Sequence, residues 1–374
     1  MFIVLGANIS SNFNDFNDKV NDKIELFFTQ LLQAGDGLHP QLVWTILRLC
    51  GSPKLIYYVS TTPPEQTQNV IQYWEKCVAY VTNKVFGMTF NAQMLHDRLG
   101  GGMPDYKKGD QLYQVSQTMA LTNGNKQKAL SLGSMTERLI TDTQSSADVR
   151  SQHDAQYLFY GGSSTMRLSE SHFATALSIR MRQLPRHYDV SPTTCACGHL
   201  VATDSNAIDH ALKCDRFTYI THGMRHNILR DAFCTLTRTY GITTTVEPRC
   251  FLYNSGRDER PDAIFHLPKT IVTDFTIVTP KQDVGVAART AAEAKIVTHT
   301  AAVERLSMTF IPAACESYGH VDEKFHTLIK EIGKQLPKHL QWSFGQEALH
   351  VVSSALAKGR ALAIISMATG VRKV

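Results

Sequence analysis

Three cysteines and a histidine crowd into one short stretch of a 374-residue chain: Cys195-Ala196-Cys197, then His210, then Cys214. Zinc favours four tetrahedral ligands drawn from thiolate sulfur and imidazole nitrogen, and four protein ligands leave no coordination position for a substrate. The expected role is therefore structural. Cys195 and Cys197 would grip one edge of the tetrahedron from a turn supplied by Gly198. If a helix begins near residue 208, His210 and Cys214 lie four apart on one face and form the opposite edge. His199 is a rival fourth ligand. Cys50, Cys77, Cys234, Cys250 and Cys315 are scattered, and the reading takes them as buried free thiols.

A second set of residues suits different chemistry. Arg260-Pro261-Asp262 opens a β-rich run, and Asp274 sits amid Ile271-Val272-Thr273-Asp274-Phe275-Thr276-Ile277-Val278. In a strand, Val272, Asp274, Thr276 and Val278 share one side while Ile271, Phe275 and Ile277 face the other. A carboxylate in such a run is costly unless it is paired or holds a cation. Asp262 on the neighbouring strand would approach it, and two carboxylates make a hard-oxygen site for Mg²⁺ or Mn²⁺. Such an ion polarises a phosphodiester and lowers the pKa of an attacking water. Glu247 is a third candidate acid. Ala288, Ala292, Lys295 and His299 form one stripe of an Ala-rich helix, whose small residues would let it pack on the sheet and bring the Lys295 ammonium towards the carboxylates.

The elements that must position these groups fall into two patterns. Residues 1–185 read as mostly helical, with helical periodicity over 14–34 and 66–86 and further helices over 107–121, 127–141 and 168–183. Gly100-Gly101-Gly102 and Pro104 interrupt them. After a connector with Pro185 and Pro192, the cysteine cluster occupies 186–216. Then 217–374 reads as helix (221–240), strands (243–246, 263–267, 270–279), helix (286–302), strand (307–313) and two helices (321–335 and 347–369, with a break at Gly359). The expected fold class is α plus α/β: a helical N-terminal scaffold, a small zinc knuckle and a C-terminal α/β domain.

Composition narrows the function classes. With 43% apolar and 19% charged residues the chain is no disordered polymer. A net charge of +5 admits nucleic acid without arguing for it. No uninterrupted apolar run reaches the length of a membrane span, so no membrane partner is expected. Met1 to Leu5 is too short for a signal peptide. Clustered cysteines suggest metal in an intracellular setting rather than a disulfide scaffold.

The layout resembles the C-terminal half of the protein encoded by non-LTR retrotransposons that carry a restriction-like endonuclease. Three features carry the likeness in order: the knuckle CACG…DHALKC, the segment Arg225-His226-Asn227, and the block EP…RPD…TDFTIVTP. Upstream, VLGANIS, LRLCGSPKLIYY followed by TTPPE, and LGGGMPDY are similar to the region between polymerase and endonuclease in these elements. No polymerase carboxylate pair is found. The resemblance implies a PD-(D/E)xK-type fold that nicks target DNA with a divalent metal, in the nucleus or alternatively the cytoplasm, with DNA and retrotransposon RNA as partners. It assigns Asp262 and Asp274 as the catalytic acids. The lysine usual two residues later is Thr276 here, and Lys295 matches a displaced lysine of relatives, with Lys281 the runner-up. Arg225, His226 and Arg260 would contact nucleic acid, and Arg180, Arg182, Arg186 and His187 form a basic run leading into the knuckle. Thr276 also suits an alternative: a degenerate remnant that holds zinc and nucleic acid but cleaves nothing.

Overall fold

The computed structural model describes residues 2–4, 7–9, 13–35, 37–88, 157–158, 166–181, 195, 197–198, 210–214, 216, 219–251, 260–280 and 283–369. The helices expected at 107–121 and 127–141, the glycine-rich break, His199, Lys281, Arg182, Arg186 and His187 lie outside them. The chain divides into two compact units, 1–146 with 177–187 and 147–176 with 188–374.

In the first unit a short antiparallel hairpin, β1 (Phe2–Val4) and β2 (Ala7–Ile9), precedes four helices: α1 (Phe13–Gly35), α2 (Pro40–Ile46), α3 (Ser52–Thr61) and α4 (Pro64–Phe86). The hairpin departs from the helical expectation for this stretch. The expected helices at 14–34 and 66–86 are α1 and α4, and α4 starts with Pro64, where a missing N–H costs nothing. Trp44, Val59, Val70, Trp74 and Phe86 form its core, with Phe28 edge-on to Trp74 at 4.9 Å. A π-helical turn, Leu47–Gly51, joins α2 to α3. Gly51 is required there, because a Cβ would meet the Trp74 ring at 2.8 Å.

Helix α5 (Glu170–Arg180) is shorter than the expected 168–183 and runs across the division between the units. The second unit continues with α6 (Arg225–Thr239), β3 (Thr243–Val246), β4 (Ala263–His266), β5 (Ile271–Thr273), β6 (Phe275–Val278), α7 (Val286–Glu304), β7 (Thr309–Phe310), β8 (Ala313–Glu316), α8 (Glu323–Lys334) and α9 (Lys338–Thr369). Strands β3, β4 and β5 pair antiparallel, and after the α7 crossover β7 and β8 pair parallel with β5 and β6. This is a small mixed sheet in a mostly helical protein. Helices cover both of its faces: α6, α8 and α9 share a core with Phe265, Ile271 and Phe275, while Val303 of α7 packs with Ile264 and Val272.

Three differences from the sequence reading have physical causes. The run 270–279 is interrupted at Asp274, because the Phe275 amide bonds the Asp262 carboxylate at 2.6 Å instead of a strand carbonyl. The run 307–313 splits at Ile311-Pro312, since Pro312 has no N–H to donate, and pairing resumes as far as Glu316. Helix α9 starts at Lys338 and passes Gly359 without a break. Gly359 instead makes room for Arg225, whose Cγ would lie 2.9 Å from a Cβ there. The most apolar 18-residue window of α9 has mean hydropathy 1.3, and 72% of it is buried inside the protein, so its apolarity serves the core.

Candidate functional site

Phe275 fixes the direction of Asp274. Its ring is buried in an aromatic knot, 5.7 Å from Phe233 and 5.9 Å from Phe325, and each such pair contributes about 0.5–1.5 kcal/mol beyond its buried area. Strand alternation then turns Asp274 to the opposite face, towards α7. Ala288 and Ala292 are buried on that helix, and their small size admits the close approach. Lys295 Nζ lies 2.9 Å from Asp274 Oδ1, and His299 Nε2 lies 3.1 Å from Oδ2. The helical stripe read from the sequence is thus brought onto the carboxylate, with His299 more intimately placed than the reading gave it. Its ring rests against Phe310 at 5.1 Å. Burial alone would raise the Asp274 carboxyl, but the His299 and Lys295 contacts outweigh it and hold it below the usual carboxylate range.

Asp262 stands beside this group. Its Oδ2 accepts both the Phe275 amide at 2.6 Å and His226 Nε2 at 2.9 Å. The other His226 nitrogen faces Asn227 Oδ1 at 3.1 Å, so both ring nitrogens have oxygen acceptors, an arrangement suited to imidazolium. Burial lowers the His226 pKa, but Asp262, Asn227 and the charge of Asp274 prevail and raise it. His226, read from sequence as a nucleic-acid contact, is therefore a carboxylate partner. A histidine thirty-six positions upstream of its acid leaves no local spacing signal.

The remaining candidates lie differently. Glu247 adopts a left-handed φ of 49° and its carboxylate meets Arg230 Nη1 at 2.5 Å, while Arg230 Nε holds Asp231 at 2.8 Å. The Glu247 amide donates to the Asp262 carbonyl at 2.8 Å, so its backbone supports the site while its carboxylate is held by arginine. Arg225 is 2% exposed and offers no surface for phosphate. Arg180 of the basic run is likewise buried. Arg260 is half-buried just ahead of Asp262. Thr276 has a buried hydroxyl. Sequence reasoning missed Glu316, fully buried at the end of β8, whose Oε1 accepts the Gly285 amide at 2.8 Å. It also missed Arg360, which donates to the Ser317 carbonyl at 2.7 Å.

The cysteine cluster forms a separate centre. Gly198, at φ 87°, returns its amide to the Cys195 carbonyl at 2.8 Å and closes the expected turn. His210 opens a helical turn and Cys214 follows its end. Cys195 Sγ lies 3.7 Å from Cys214 Sγ, and Cys197 Sγ lies 3.4 Å from His210 Nε2. All four ligand atoms fall within 4.8 Å of one another, so the cluster could hold a metal ion. Tetrahedral zinc with bonds of about 2.3 Å to sulfur and 2.0–2.1 Å to nitrogen sets S···S near ~3.8 Å and S···N near ~3.5 Å. The donors fit. Burial pushes the Cys214 thiol up to about 11, so a bound ion must displace a proton. Of the scattered cysteines, Cys234 and Cys315 are buried as expected, whereas Cys50 and Cys250 are exposed.

Among known proteins, no family model matches the chain and no curated sequence matches it.

Proposed function

We propose that the chain is a retrotransposon-type endonuclease that nicks DNA by metal-assisted phosphodiester hydrolysis, with zinc in the Cys195–Cys197–His210–Cys214 knuckle as a structural ion. The observation that carries the reading is the meeting of Asp274 with Lys295, an acid and an ammonium delivered from opposite sides of the sheet–helix boundary beside Asp262. Two nearly buried carboxylates are a donor set of the kind Mg²⁺ or Mn²⁺ takes. A cation held there would supply Lewis acidity and an acidified water. Asp262 and Asp274 would hold it. Lys295, about a third exposed, is placed to neutralise charge developing on a phosphate. The low Asp274 pKa keeps that carboxylate anionic and ready to bind.

One observation favours a second reading. Both Asp274 oxygens already have basic partners on α7, so the carboxylate is satisfied without a cation. A protein that keeps that arrangement would grip nucleic acid and cut nothing.

Supercoiled plasmid incubated with the full chain and Mg²⁺ or Mn²⁺ separates the two. Metal-dependent conversion to open circles, abolished by Asp274→Ala and by Asp262→Asn, is the expected result. Binding without conversion in either metal overturns the nuclease and leaves the second reading.

A further inference from the structure

Trp342 is 77% exposed at the start of α9, while the other two tryptophans, Trp44 and Trp74, are buried. Leaving so large an apolar ring in water is unfavourable, and a ring beside a groove is a common mark of a binding surface. Here the groove is present. A cleft of about 450 Å³ between α8 and α9 is lined by His326, Lys330 and Lys334 on one side and by Gln341, Trp342 and Gln346 on the other. The three basic residues are four apart and so form one stripe of α8. Gly333 and Gly345 keep the cleft open: a Cβ on Gly345 would meet nothing within 4 Å. Ile329 and Leu349 supply an apolar floor.

The charge has one sign. No acid lines the cleft, and the neighbouring Glu331 is bonded by Lys334 at 2.6 Å. That bond, with the charges of Lys269 and Lys330, holds the Glu331 carboxyl below its ordinary range, so the lysines outnumber their acid. A flat hydrophobic ring and two ammonium groups against one carboxylate, over an apolar floor, fit a base with its phosphates on either side. An apolar helix from a partner would leave the excess of lysine over acid without counter-charge.

We propose that this groove binds single-stranded DNA, with a base stacked on Trp342 and phosphates against Lys330 and Lys334. The groove is independent of the carboxylate centre; only the choice of DNA over RNA rests on the nicking activity proposed above.

The test is a fluorescence titration of the full chain with oligothymidylate in buffer without added divalent ions. Stacking quenches the exposed Trp342, which dominates the solvent-sensitive emission. Trp342→Ala should weaken binding roughly 5- to 150-fold, and Trp342→Phe should recover part of it. Lys330→Gln with Lys334→Gln should flatten the slope of log affinity against log salt by about 1.4, the effect of two lost phosphate contacts. Equal binding by Trp342→Ala, or equal binding of an abasic oligomer, overturns the proposal. Preference for oligouridylate overturns its assignment to DNA. A wild-type dimer that Trp342→Ala converts to monomer overturns it in favour of self-association. Quenching without plasmid nicking sinks only the nuclease, whereas nicking without quenching sinks only this groove.

Discussion

The second unit contains two clusters of ionisable side chains, and their charge balance differs in kind. In the cysteine cluster four donors converge, with Cys195 Sγ 3.7 Å from Cys214 Sγ and Cys197 Sγ 3.4 Å from His210 Nε2. Its thiols gain by converging only if something positive sits between them. At Asp274 the basic groups are built in: Lys295 and His299 come from α7, and His226 serves Asp262. The first cluster could hold an external ion. The second is electrostatically complete, so an ion there must compete with the protein's own side chains.

The largest effect should come at the cysteines. Cys195→Ser or Cys214→Ser should reduce bound zinc from about one per chain to none, measured by elemental analysis, with a marked drop in calorimetric Tm. Binding free energies for structural zinc run to about 10–16 kcal/mol in small zinc-finger peptides. An unchanged Tm would show that this cluster too is self-sufficient, and the contrast would disappear. A smaller effect belongs to Lys295→Met. Breaking a buried pair costs about 3–5 kcal/mol, and the partial exposure of Lys295 reduces this to about 1–2 kcal/mol in urea midpoints. Adding Asp274→Asn to that variant should restore part of the loss, because no unpaired charge is then buried. A neutral Lys295→Met would show that Asp274 relies on something other than its helix partners.

The smallest effect is in the pH dependence of stability. The Asp274 pKa is lowered on folding, so it contributes stability above its unfolded value of about 3.9, lost as pH falls through the folded value. The stability gap between wild type and Asp274→Asn should close as pH falls below about 5. A gap that instead opened as pH fell would reverse the sign and refute the pairing.

How much of this was legible in the sequence follows from the range of the forces involved. The stripe Ala288, Ala292, Lys295 and His299 obeys helical periodicity, so its meeting with Asp274 followed once α7 was set against the sheet. The alternation that turned Asp274 away from Phe275 was equally local, as was the turn at Gly198. The charged partners of His226 and Glu247 were not legible, because Asp262 and Arg230 lie at least seventeen positions away from them. Arg225 looked like a surface cation; only its packing against Gly359, more than a hundred residues on, reveals it as buried. The break at Asp274 was hidden for a similar reason. Seven of the eight residues from 271 to 278 are strand formers, and the interruption comes from a carboxylate just ahead of another strand.

That carboxylate, Asp262, belongs at once to the proposed site and to the wiring of the sheet. Because one oxygen completes a rung at Phe275, removing the side chain takes away a structural bond along with an acid. Whatever binds or protonates Asp262 is thereby felt along the backbone of the strand that carries its fellow acid.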